Sequence, residues 1–65
     1  VAVYEATYSD GRTLRVNTDA SDEEVDLRVR HQAIHQEKTR ILFAVRKGFE
    51  PEMMAAVVSI TKVAE

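Results

Sequence analysis

The sequence predicts an α+β fold in the order β-β-α-β, a three-stranded, mostly antiparallel sheet with one long helix packed on one face. Three observations carry this. Ser9-Asp10-Gly11 separates two alternating runs, which is a hairpin signal. Ser21-Asp22-Glu23-Glu24 opens a stretch with apolar residues at helical spacing. The run Ala56 to Val63 is rich in β-branched residues and reads as a strand. At 65 residues the chain is read as a single domain, 1–65.

Register fixes the hairpin. A two-residue loop at Asp10-Gly11 would set Tyr4 and Tyr8 opposite Asn17 and Thr13. A three-residue loop, Ser9 to Gly11, pairs Tyr8 with Arg12, Ala6 with Leu14 and Tyr4 with Val16. It gathers Tyr4, Ala6, Leu14 and Val16 on one face and Glu5, Thr7, Thr13 and Arg15 on the other. A slip of one residue would flip every side chain, so the second register is expected. Gly11 then takes the left-handed conformation of a bulged turn, where only glycine fits cheaply.

At the helix start, Ser21 is expected as N-cap and Glu24 as the residue reaching back in a capping box. Asp22, Glu23, Glu24 and Asp26 crowd the first turns, and Lys38, Arg40, Arg46 and Lys47 lie toward the far end, a polarity that complements the helix dipole. Pairs at i,i+4 are expected between Glu24 and Arg28 and between Asp26 and Arg30. Lys47-Gly48-Phe49 reads as the carboxyl cap, with Gly48 at C′. Leu27, Ile34, Ile41 and Val45 form one stripe, expected to cover the sheet, with Val25, Val29 and Phe43 nearly opposite. The helix would run from about Asp22 to Lys47, roughly 39 Å, and overhang a strand of about 30 Å. The competing reading ends it near Lys38 and makes Arg40 to Arg46 a strand, because Ile41, Phe43 and Val45 also alternate.

Glu50-Pro51-Glu52 reads as a turn or the first turn of a short helix. In the last strand, Val58 and Ile60 are expected to face the helix and Ser59 and Thr61 to face out. Whether that strand pairs with the first or second, and in which direction, stays open.

Function classes narrow by exclusion. There is no cysteine, so disulfides and thiolate metal sites are excluded. The charge of −2 gives no overall basic field for nucleic acid. No apolar run approaches the length of a membrane span, and Val1-Ala2-Val3-Tyr4 lacks the basic and apolar regions of a leader, so a cytoplasmic protein is expected. His31 and His35 stack on one helix face, but Lys38 stands where a third ligand would sit, and no metal site or cofactor is expected. No nucleophile elbow, Cys-His pair or Gly-rich phosphate loop is present, so no catalytic residue is assigned and no enzyme activity is expected.

What remains is apolar surplus: a three-stranded sheet cannot bury both sides of one helix. With 45% apolar residues, the chain lacks a second layer rather than apolar groups. The surplus, with its neighbouring bases, defines a candidate partner-binding surface: Arg40, Phe43, Arg46, Lys47, Phe49, Met53 and Met54. Exposed apolar patches mark partners, and methionine suits adaptable surfaces. A homodimer through the overhanging helix is the alternative cover.

The hairpin Tyr4 to Val16 with its Ser-Asp-Gly turn, the acidic capped helix and the final Val57-Val58-Ser59-Ile60 strand resemble small phage-encoded host-takeover proteins, such as RNA polymerase inhibitors. The resemblance is architectural and assigns no residue a role. It implies a small regulator or inhibitor that binds a larger host protein such as the transcription machinery. The alternative is a nucleic-acid-binding transcriptional regulator using Arg40, Arg46 and Lys47.

Overall fold

A computed structural model of residues 1–65 has the predicted element order: β1 (Ala2–Tyr8), β2 (Thr13–Thr18), α1 (Val25–Arg46) and β3 (Val57–Ala64). The sheet order is β2-β1-β3, with β1 antiparallel to both neighbours. The helix therefore carries the chain from one edge of the sheet to the other, which settles the open question of β3 pairing.

The hairpin takes the three-residue register. Tyr4 faces Val16, Glu5 faces Arg15 and Ala6 faces Leu14. The loop closes by Tyr8 N–H donating to the Arg12 carbonyl at 2.8 Å and Gly11 N–H donating to the Tyr8 carbonyl at 3.0 Å. Gly11 has φ +93°, a conformation strained for any residue with a Cβ. Asp10 accepts the Arg12 N–H at 3.1 Å through its side chain, an Asx-type contact that braces the turn.

The capping box does not form. The helix is entered through Glu24, whose backbone is already in the right-handed region, and no side chain caps it. The Ser21 carbonyl instead accepts the N–H groups of Glu24 and Val25, both at 2.9 Å. A backbone turn thus serves donors that the box would have engaged. Of the two predicted i,i+4 pairs, Asp26–Arg30 forms at 2.9 Å, while Glu24 and Arg28 form none.

At the other end, the long helix is the correct reading and residues 40–46 are helical. Gly48 N–H donates to the Val45 carbonyl and Phe49 N–H to the Ala44 carbonyl, both at 3.0 Å. With Gly48 at φ +93°, these two bonds make a Schellman cap. Residues 49–56 form no helix or strand, so Glu50-Pro51-Glu52 starts no short helix.

The face of α1 that covers the sheet differs from expectation. Val29, Ala33 and Glu37 are buried and Val25 packs against the core, whereas Leu27 is 76% exposed and Ile34 46%. The reason is volume. The inner face of the sheet already carries Tyr4 and Tyr8, both buried, so the fitting helix row is the small one, Val25-Val29-Ala33. The Tyr8 hydroxyl donates to the Ala33 carbonyl at 3.1 Å, a contact that a larger residue at 33 would obstruct.

β3 also departs from simple alternation. Tyr8 pairs with Val57 but Thr7 with Ser59, and Tyr4 pairs with Lys62 but Val3 with Ala64. Val58 and Val63 are thus the extra residues of two bulges. The first bulge lets Val57 and Ile60 both pack on the core while Val58 turns outward, 62% exposed, against the expected inward position.

Candidate interaction surface

The helix, 22 residues or about 33 Å long, outruns the seven residues of β1, about 24 Å. It extends past the β1–β2 turn, and Glu37 marks the place where it leaves the sheet. Glu37 is 1% exposed and accepts four hydrogen bonds. Arg12 Nη2 donates to Oε1 at 2.7 Å, Arg40 Nε to Oε1 at 3.2 Å, Arg40 Nη2 to Oε2 at 3.3 Å and Ala55 N–H to Oε2 at 3.1 Å. One carboxylate thereby joins the hairpin turn, the helix and the segment returning to β3.

The network alternates in charge. Asp10 holds Arg12 at 2.7 Å, Arg12 and Arg40 hold Glu37, and Glu52 holds Arg40 at 3.1 Å. The Arg40 hydrogen bonds, with further help from Ala55 N–H and Arg12, hold the Glu37 carboxyl at a pKa of about 2 against the opposing effect of burial. Glu37 and Glu52 raise the Arg40 pKa in return. Burial, reinforced by the Glu37 charge, raises the Tyr8 pKa, and the Arg12 guanidinium lies 5.0 Å from the Tyr8 ring centre, a cation–π contact. No buried side-chain polar atom lacks a partner.

Beyond this network lies the overhang. Phe43 is 57% exposed, Phe49 65% and Met53 93%; Leu42 and Met54 are also exposed. Of the sequence-predicted partner-binding residues, Phe43, Arg46, Lys47, Phe49, Met53 and Met54 all lie at the surface in this end of the molecule. Arg40 is half-buried and committed to Glu37 and Glu52, so it serves the fold. Met54 sits toward the other flank of the helix, where it shares a shallow groove with Ile41 and Val45.

Sequence reasoning missed Glu37 as the organising residue. Nothing local marks it among the acids of the helix, because its partners Arg12 and Ala55 are 25 and 18 residues away. The histidines His31 and His35 are exposed, and no group of three or more His, Asp or Glu is placed to hold a metal ion. No helix is long and apolar enough to cross a membrane. The chain matches no protein-family model, no curated protein and no solved structure.

Proposed function

We propose that this chain is a non-enzymatic interaction module that acts as a small regulator or inhibitor by occupying a surface on a larger protein, with host transcription machinery as the partner class to test first. The observation that carries the reading is the overhang. Phe43 near the end of α1, and Phe49 and Met53 in the segment that follows it, stand exposed where the sheet does not reach. The Glu37 network anchors the root of that end, so the aromatic groups are presented from a braced element, which lowers the ordering cost of binding. Arg46 and Lys47 form no ion pair within the chain and supply a basic rim.

The nucleic-acid alternative is weaker on the same geometry. Arg40 is neutralised by two carboxylates, which leaves Arg46 and Lys47 from its proposed set, and phosphate affinity grows with the number of free bases. The test is binding to purified RNA polymerase from the source cell, nuclease-treated, with wild type and Phe43→Ala. Binding that survives nuclease and elevated salt and weakens at least ~10-fold in Phe43→Ala supports the reading, because buried aromatic anchors dominate such interfaces. Capture of nucleic acid alone, lost steeply with salt, refutes it in favour of the alternative. No binding to the polymerase removes that partner class.

A further inference from the structure

Leu27, Ile34 and Ile41 fall at intervals of seven residues, and Val45 lies one helical turn beyond Ile41. This is the most regular apolar row on α1, yet the sheet buries a different one. Leu27, Ile34 and Val45 are exposed and Ile41 is half-buried. Its heptad members are also symmetric: Leu27 and Ile41 are equidistant from Ile34, about 10 Å along the axis on either side, while Val45 lies beyond the symmetric part. Such a row is self-complementary under a two-fold axis through Ile34, where Leu27 of each helix meets Ile41 of the other.

Charge supplies the second, independent observation. The ion pairs that α1 makes within the chain are Asp26–Arg30 in its first turns and Glu37–Arg12, Glu37–Arg40 and Arg40–Glu52 beyond its midpoint. Asp22, Glu23 and Glu24 at the amino end and Arg46 and Lys47 at the carboxyl end have no ion-pair partner; Arg28, Lys38 and Glu50 are also unpaired, and with them counted the amino end stays net acidic and the carboxyl end net basic. An antiparallel second helix lays the acidic end of each copy beside the basic end of the other, twice per pair. A parallel arrangement would oppose like charges at both ends.

We infer that this chain forms a two-fold symmetric homodimer through an antiparallel α1–α1 contact centred on Ile34. The inference goes beyond the proposed function and uses a different flank. Phe43 is nine residues, or two and a half turns, from Ile34 and therefore points to the opposite side of the helix, free for a partner in the dimer.

The experiment is a mass measurement in solution across a concentration series, by light scattering or equilibrium sedimentation. Wild type should approach twice the 7.3 kDa chain mass. Ile34→Asp should weaken self-association at least ~100-fold, since the two-fold buries the charge twice. Two surface variants guard against loss of folding. Asp22→Lys/Glu23→Lys/Glu24→Lys and Arg46→Glu/Lys47→Glu should each be monomeric alone and should form a heterodimer when mixed. The chain has no cysteine, so Leu27→Cys mixed with Ile41→Cys should give a disulfide-linked pair under mild oxidation, and Leu27→Cys alone should not. Phe43→Ala should remain dimeric; loss of partner binding in that variant without loss of dimer separates the two proposals. A wild type that stays monomeric up to its solubility limit, charge variants that fail to rescue each other, or a dimer dissociated by Phe43→Ala rather than Ile34→Asp would each overturn the inference.

Discussion

Replacing Glu37 by Gln tests the central packing argument. The folded carboxyl has a pKa of about 2 against an ordinary 4.5. At about 1.4 kcal/mol per unit, that difference sets an upper bound of about 3.4 kcal/mol on the stability contributed by the charge. Arg12 and Arg40 keep about 40% of their side-chain surface in water, which screens the pairing, so about 2 kcal/mol is expected at neutral pH. Gln also presents an NH₂ group where the carboxylate accepts from Arg and Ala55 N–H donors, so at least one donor loses its partner. With a urea dependence of about 1 kcal/mol per molar for a small chain, the unfolding midpoint at pH 7 should fall by about 2 M. The pH dependence has a definite sign. A depressed folded pKa gives stability that is present above the unfolded value and lost as pH falls through the folded value. The wild-type advantage should therefore hold above about pH 4.5, shrink below it, and be nearly gone by about pH 2. Urea unfolding followed by circular dichroism reads both effects. Equal midpoints for wild type and Glu37→Gln at pH 7, or a difference that does not change between pH 5 and 2, would refute the account.

Other perturbations follow from the same structure. Gly48→Ala should cost about 1 kcal/mol, because a Cβ there meets no atom within 4 Å and only the backbone at φ +93° is strained; thermal unfolding measures it. Val29→Ala should destabilise by about 2 kcal/mol, whereas Leu27→Ala, on an exposed site, should change monomer stability by less than about 0.5 kcal/mol at concentrations below self-association. Equal effects at the two positions would mean that the wrong helix row has been placed on the sheet. Tyr8→Phe should cost about 1 kcal/mol by removing the bond to the Ala33 carbonyl, with a lower urea midpoint as the readout.

The hairpin was legible to the residue, because turn chemistry and two-fold alternation are local and the Asp10-Gly11 pair leaves one register that segregates apolar from polar side chains. The carboxyl cap was legible for the same reason: Gly48 followed by Phe49 is a complete local instruction. The helix face was not. Periodicity shows two candidate rows, and side-chain size alone favours the larger aliphatics as the core. Which row docks is decided by the volume on the sheet, where Tyr4 and Tyr8 leave room for valine and alanine only. The inward or outward sense of Val58 was equally hidden, since a bulge depends on the partner strand. In the candidate surface, exposure of Phe43, Phe49 and Met53 could be argued from surplus, but the diversion of Arg40 into the fold could not, since it depends on where Glu37 comes to lie.

The two bulges of β3 bear on how this chain avoids the wrong kind of assembly. Val57-Val58-Ser59-Ile60 is a β-prone segment without proline on an outer strand, the type of template that recruits further strands. The irregularities at Val58 and Val63 break the even spacing of the outward N–H and C=O groups, and Lys62 stands opposite Tyr4 on the helix side of the sheet. An incoming strand would have to match both kinks and accommodate that ammonium. On the far edge, β2 is six residues long and carries Arg15 and Asn17. Neither border offers a long, flat docking rail, so open-ended sheet growth is disfavoured, and the closed α1–α1 pairing proposed above would meet little competition from the sheet edges.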